Sequence, residues 1–166
     1  MNQNLTRKLV ISALIAAVYA ALTYALAPIS YGLIQFRVSE VMVLLAFFNP
    51  TYIGALTLGC LLSNILGGLG ILDIIFGTLA TFLSVSAISI TASKIKDTKK
   101  GLIISSIWPV IFNGLIIGGM LSILLEVPMV IAMLQVGIGE FLAVSVVGVP
   151  VVLYAQKKYS NKLALR

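Results

Sequence analysis

Residues 71–100 read ILDIIFGTLATFLSVSAISITASKIKDTKK. From Ile71 to Ala92 the only ionisable side chain is Asp73, and as an α-helix this run is about 33 Å long, enough to cross the roughly 30 Å hydrocarbon layer of a bilayer. It stops at Lys94-Ile95-Lys96-Asp97-Thr98-Lys99-Lys100, a polar segment that has no place in hydrocarbon. A membrane-spanning helix followed by a lysine-rich connection is the pattern from which the rest of the chain is read.

The whole chain agrees with that pattern. Its 166 residues are 60% hydrophobic and 10% charged, with mean hydropathy +1.14, whereas soluble domains carry about a quarter charged residues. The sequence therefore predicts a single all-α integral membrane domain, residues 1–166, lying in a lipid bilayer. Six helices are expected, at about 5–27, 33–48, 51–66, 71–92, 101–124 and 128–154. The second is short, so part of it is expected to be irregular, which membranes tolerate only where backbone lines a cavity or is buried in protein. Ala25-Leu26-Ala27 has the look of a signal-peptidase site, but Pro28 directly behind it and the length of the preceding apolar run argue for a retained first helix.

Basic residues then orient the helices. Arg7 and Lys8, the lysines of 94–100, and Lys157, Lys158, Lys162 and Arg166 all fall on one side of such a bundle, leaving Arg37 alone on the other. Positive charge in short loops stays in the cytoplasm, so both termini are expected inside and Arg37 outside. The net charge of +6 serves topology and gives no nucleic-acid surface, since no basic stripe with interleaved aromatics exists. With one cysteine and no histidine, neither a disulfide nor a metal cluster is expected, and no cofactor.

Helix rise converts position into depth. Glu40, Asn64, Trp108, Asn113 and Glu140 come out in one layer, about 10–20 Å from the inner surface. An ionised carboxylate at such depth costs at least about 2.5 kcal/mol, so it faces a bundle interior or a wet cavity. Local explanations compete. Arg37 and Glu40 are three apart and could pair with each other, Asn64 could bond a neighbouring helix, Asp73 could cap the start of its helix, and Glu126 reads as a solvated loop charge. Carboxylates and amides with an aromatic wall of Trp108 and Phe112 suit a flat polar heterocycle; a guanine-type edge presents adjacent N–H donors to a carboxylate, and its carbonyl takes a donor such as Arg37 or Gln35. Ala13, Ala17 and Ala21, four apart on the first helix, form a small-residue stripe that serves either internal packing or contact with another subunit. No phosphate-binding loop, G-x-S-x-G or H-E-x-x-H is present, which disfavours an ATPase or hydrolase and leaves a capture module that borrows its energy, or a stand-alone proton-coupled carrier.

Gln35-Phe36-Arg37-Val38-Ser39-Glu40, Leu66-Gly67-Gly68-Leu69-Gly70-Ile71-Leu72-Asp73, the Asn113 region and Gly137-Ile138-Gly139-Glu140, in this order, resemble the QueT family. Those proteins are substrate-binding S components of energy-coupling factor (ECF) transporters. The resemblance implies a six-helix subunit of a bacterial plasma membrane that captures a queuosine precursor, a 7-deazaguanine such as the 7-cyano or 7-aminomethyl form, or queuine. It implies as partners a transmembrane coupling subunit, met by the Ala13, Ala17 and Ala21 stripe, and two cytoplasmic ATPases. Gln35, Arg37, Glu40, Asp73 and Glu140 stand at motif positions.

Overall fold

The computed structural model describes residues 3–31 and 36–163. Helix α1 spans Gln3–Ala25, and a short α2, Ala27–Ser30, follows a break at Leu26, so the first helix ends two residues before the expected boundary. Pro28 sits in the first turn of α2, where its missing N–H is no loss. The expected second helix differs most. Its described part is a 3-10 helix, Val38–Phe47, ten residues long where such runs seldom exceed three or four. Its interior is apolar and buried at Val43, Leu44 and Ala46, so tertiary packing holds a conformation that local preference alone would not.

Helix α3, Tyr52–Gly67, ends on Gly68 in the left-handed conformation (φ 70°), and α4, Ile71–Lys94, begins directly after Gly70 (φ 102°). The glycine run between α3 and α4 is thus a defined cap, built from residues that adopt positive φ without strain. Asp97, within the polar connection, accepts from the Lys100 backbone N–H at 2.8 Å and caps α5, Thr98–Ser105. The fifth expected helix, 101–124, is divided: α5 gives way at Ser106 to α6, Ile107–Leu124, because Pro109 cannot return a hydrogen bond to the preceding turn. The sixth is also interrupted. Helix α7, Met129–Glu140, passes into a π-helix, Phe141–Gly148, and on into α8, Val149–Leu163, with Pro150 demanding the local adjustment. Lys157 and Lys158 consequently lie on helix rather than in a tail.

Four stretches, Leu5–Ala25, Ile71–Lys94, Thr98–Leu124 and Met129–Lys158, are long and apolar enough to cross a membrane, and Val38–Phe47 and Tyr52–Gly67 are shorter apolar helices. The core gathers Tyr19, Val43, Leu44, Leu56, Val85, Ile88, Leu102 and Val144, with the 3-10 helix threaded between α1, α4 and the π-helix. Many large apolar side chains outside it, such as Ile71, Leu134 and Val130, remain exposed. On a soluble domain that surface would be an aggregation hazard; against lipid tails it is the proper solvent.

Close helix contacts rest on small residues. At Gly59 of α3 a Cβ would lie 2.8 Å from Tyr19 Cβ and 3.0 Å from the Ala16 carbonyl oxygen of α1, so α1 and α3 touch backbone to backbone along the Ala16–Ala20 face. At Gly118 of α6 it would meet Met133 Cα of α7 at 2.5 Å and Met133 N at 2.8 Å. Backbone cannot yield as a flexible side chain does. Gly118→Val should therefore destabilise the fold by about 2 kcal/mol, the usual scale of overpacking, read as a lower thermal unfolding midpoint in detergent; an unchanged midpoint would show that α6 and α7 do not pack this closely.

Candidate functional site

At the end of the bundle where α1 finishes and α4 begins, polar side chains from six helical elements converge. Arg37, 4% exposed, forms the N-cap position of the 3-10 helix. Its Nη2 lies 3.9 Å from Asp73 Oδ1, its Nε donates to the Ser30 carbonyl at 3.3 Å, and its guanidinium stands 5.3 Å from the centroid of the Tyr31 ring. Tyr31 in turn donates its hydroxyl proton to the Ser63 carbonyl. Arg37 therefore does not pair with Glu40 as the local reading allowed; it reaches across to α4. Asp73 does not cap α4 either, since the N-cap is Gly70, with no side-chain cap bond, and the Asp73 carboxylate is wholly buried.

Glu40 is 1% exposed and accepts a hydrogen bond from the Tyr19 hydroxyl through Oε1. One turn along α1, Thr23 bonds Ser39 at 2.6 Å, so two side chains fasten the start of the 3-10 helix to α1. From α3, Asn64 donates through Nδ2 to the Asp73 carbonyl at 3.2 Å and to Cys60 Sγ at 3.4 Å. Cys60 also accepts from Thr81 Oγ1 at 3.1 Å and sends its own proton toward the Gly77 carbonyl at 3.5 Å. Gly77 has to be glycine here because a Cβ would run into the Asn64 amide. With Nδ2 committed twice, Asn64 presents Oδ1.

Glu140 closes the group from the last residue of α7, at the boundary with the π-helix; such segments are frequent at functional sites. It lies in electrostatic reach of Glu40 and Arg37, and the Asn113 amide of α6 stands beside it without completing a hydrogen bond of good geometry. Glu40 Oε2, Glu140 Oε2, Asn64 Oδ1, Arg37 Nη2 and Asn113 Nδ2 are all buried and make no hydrogen bond. Native proteins satisfy nearly all buried polar atoms, each orphan costing about 1–3 kcal/mol. With both Asp73 carboxylate oxygens and Ser30 Oγ, orphaned in the same neighbourhood, they form a cluster of buried polar groups open to a further hydrogen-bonding partner. Acceptors dominate, with three carboxylates, Glu40, Asp73 and Glu140, for one guanidinium.

The structure thus unites Arg37, Glu40, Asn64, Asp73, Asn113 and Glu140. Trp108 stands apart: its indole N–H is given to Thr91 Oγ1 at 2.9 Å, near the other end of α4 from Asp73, and its ring stacks on Phe112 at 6.0 Å and 23°. The expected aromatic wall exists, but its donor is spent on packing. Gln35 lies outside the described residues. Tyr19, Tyr31, Cys60 and Thr81 join the site unexpectedly; the signal for Tyr19 and Thr23 was in the sequence, two hydroxyls one helical turn apart amid alanine and leucine. Ala13, Ala17 and Ala21 are exposed on the flank of α1 beside the buried Ala16 and Ala20, and the closest approach to α3, at Gly59, is made by Ala16 and Tyr19.

A cluster of orphaned buried polar atoms among apolar helices, four of them long enough to cross a membrane, is the layout of a multi-pass membrane protein. The comparison with known families makes the class particular. Residues 9–157 match the family described as QueT transporter, and the chain belongs to that family, a multi-pass protein of the bacterial plasma membrane. Among curated proteins it is similar to the "Queuosine precursor transporter QueT" of Lactococcus lactis subsp. cremoris (strain MG1363), 46% identical over 88 residues, which cover 52% of each chain. The chain thus spans about half the length of the curated relative it matches. No solved structure matches.

The Arg37–Asp73 pair gives a measurable expectation. Removing one partner strands a buried charge, at about 3–5 kcal/mol, whereas removing both restores much of that loss. Arg37→Met and Asp73→Leu should each lower resistance to denaturing detergent, and the double variant should recover most of it; a double variant as unstable as the sum of the singles would show that the pair is not a unit.

Proposed function

We propose that this chain is the membrane-embedded S component of an ECF importer, taking a queuosine precursor from outside for uptake powered by partner subunits. The orphaned buried atoms of Glu40, Asn64, Asn113, Glu140 and Arg37 carry this reading. A 7-deazaguanine has an edge with two adjacent N–H donors, which one carboxylate accepts together, and a carbonyl that takes a donor. Glu140 or Glu40 supplies the first, and Arg37 or Asn113 the second. The 7-cyano form, the 7-aminomethyl form and queuine all share this edge. Gln35 is proposed as a further contact, and Asp73 holds Arg37 in place. Trp108 contributes a wall below the site rather than a hydrogen bond to the ligand.

In this reading the chain crosses the bilayer six times with both termini in the cytoplasm. Ten basic residues then lie inside and Arg37 alone outside, where it meets the incoming ligand. Ala13, Ala17 and Ala21 lie exposed on the flank of α1 and offer a flat strip to a transmembrane coupling subunit, which joins two cytoplasmic ATPases. The chain has no phosphate-binding loop, so ATP hydrolysis belongs to those partners.

Purified protein should bind 7-deazaguanines in preference to unrelated vitamins by calorimetry, and Glu140→Gln should weaken that binding at least about tenfold, the scale of a lost charge-assisted hydrogen bond. Equal affinity for unrelated vitamins rejects the substrate. Transport by the chain alone in liposomes would instead reveal a proton-coupled carrier. For the helical strip, Ala17→Trp should abolish co-purification with a coupling subunit and leave ligand affinity unchanged; loss of both would place Ala17 in the bundle's own packing.

A further inference from the structure

Away from the carboxylates, a cavity of about 700 Å³ opens between the end of the 3-10 helix, the last turns of α4 and the start of α5. Phe47 and Phe48 form an apolar wall, and Asn49, Ser89, Lys96 and Thr98 bring polar groups into the same space. Every one of these can donate. Asn49 Oδ1 already accepts from the Thr51 backbone N–H at 3.0 Å and from Thr51 Oγ1 at 2.8 Å, which leaves its Nδ2 end available. The Ser89 and Thr98 hydroxyls make no hydrogen bond among the described residues. Lys96 contributes an exposed ammonium.

No carboxylate lines this cavity. Asp97, between Lys96 and Thr98 in sequence, is turned to the Lys100 backbone N–H as the cap of α5. Within 94–100 four lysines stand against that single acid, a net +3. Topology alone accounts for lysines at a helix end, but it requires neither a concave site nor an amide and two hydroxyls lining the same cavity as one of those lysines. Convergent donors with positive charge recognise a phosphate, and two phenyl rings alongside suit an attached apolar chain.

We propose that this cavity binds a phosphate-bearing anion, with the phosphate at Lys96, Asn49, Ser89 and Thr98 and its apolar portion against Phe47 and Phe48, the arrangement an anionic phospholipid of the adjoining leaflet presents. The site lies at the opposite end of α4 from Asp73 and is chemically its complement: donors here, acceptors there. Its occupancy does not depend on what the carboxylate cluster captures.

Native mass spectrometry of the full chain, released from micelles with equal phosphatidylglycerol and phosphatidylcholine, tests this directly. Phosphatidylglycerol should be retained preferentially, and Lys96→Gln should weaken retention about fivefold, the worth of one lysine near an anionic headgroup. Ser89→Val should weaken it with no change in net charge, whereas Lys8→Gln, which removes the same charge elsewhere, should leave it unaltered. Unchanged thermal midpoints establish that the variants are folded. Displacement of the lipid by glycerol phosphate alone would support the anion site and assign it to a soluble phosphate. Equal retention of the two lipids, or equal sensitivity to Lys8→Gln and Lys96→Gln, would overturn the proposal. So would cavity variants that alter only co-purification with partner subunits while lipid retention holds.

Discussion

A guanidinium cannot shed its charge, so wherever Arg37 goes it takes a positive charge with it. Here it is buried between α4 and the end of α2, against Asp73, the Ser30 carbonyl and the face of Tyr31. That single constraint organises the end of the molecule. Asp73 has to begin α4 at this height, the Gly68–Gly70 cap has to deliver it there, and Asn64 has to bond the Asp73 carbonyl so that the turn keeps its shape. A buried ion pair is expensive to desolvate and returns little net stability. Its role is to fix which elements meet, and the elements that meet are those that carry the ligand-facing atoms.

The alanines of α1 illustrate how one helix serves two surfaces. Ala16 and Ala20 with Tyr19 and Thr23 form the inward face, which meets Gly59 and the start of the 3-10 helix. Ala13, Ala17 and Ala21 lie exposed on the adjoining flank. Apart from one residue, the inward face is built of small side chains. Tyr19 is the exception. Its bulk is what lets α1 reach Glu40 at all.

Much of this was legible in the residues. Long apolar runs with charge only at their ends gave the membrane helices, because hydrocarbon leaves few alternatives to a helix. Depth counting brought Glu40, Asn64, Asn113 and Glu140 together, since helix rise is nearly constant. It assigned Asp73 a lesser role, because an acid in the first turn of a helix has a ready local explanation, whereas its partner was set by tertiary approach of Arg37. It set Trp108 at the same level, but depth says nothing about rotation about the helix axis, and the indole N–H meets Thr91. The breaks at Ser106 and within 141–148 lie near Pro109 and Pro150, yet a proline announces a disturbance without saying whether a kink, a turn or a π-helix will absorb it.

The 3-10 segment has a consequence in plain length. A 3-10 helix rises about 2.0 Å per residue and an α-helix about 1.5 Å, so the ten residues Val38–Phe47 extend roughly 5 Å farther than α-helical winding would allow. Phe47 is anchored at one end, packed where a Cβ on Gly101 would collide with its ring, and Gly148 lets Val41 and Leu44 press against the π-helix midway. The extra reach is therefore delivered entirely at the other end, where Arg37 and Glu40 stand. The segment is drawn out like a thin rod, and the half ångström gained at every step carries Glu40 and Arg37 toward their partners.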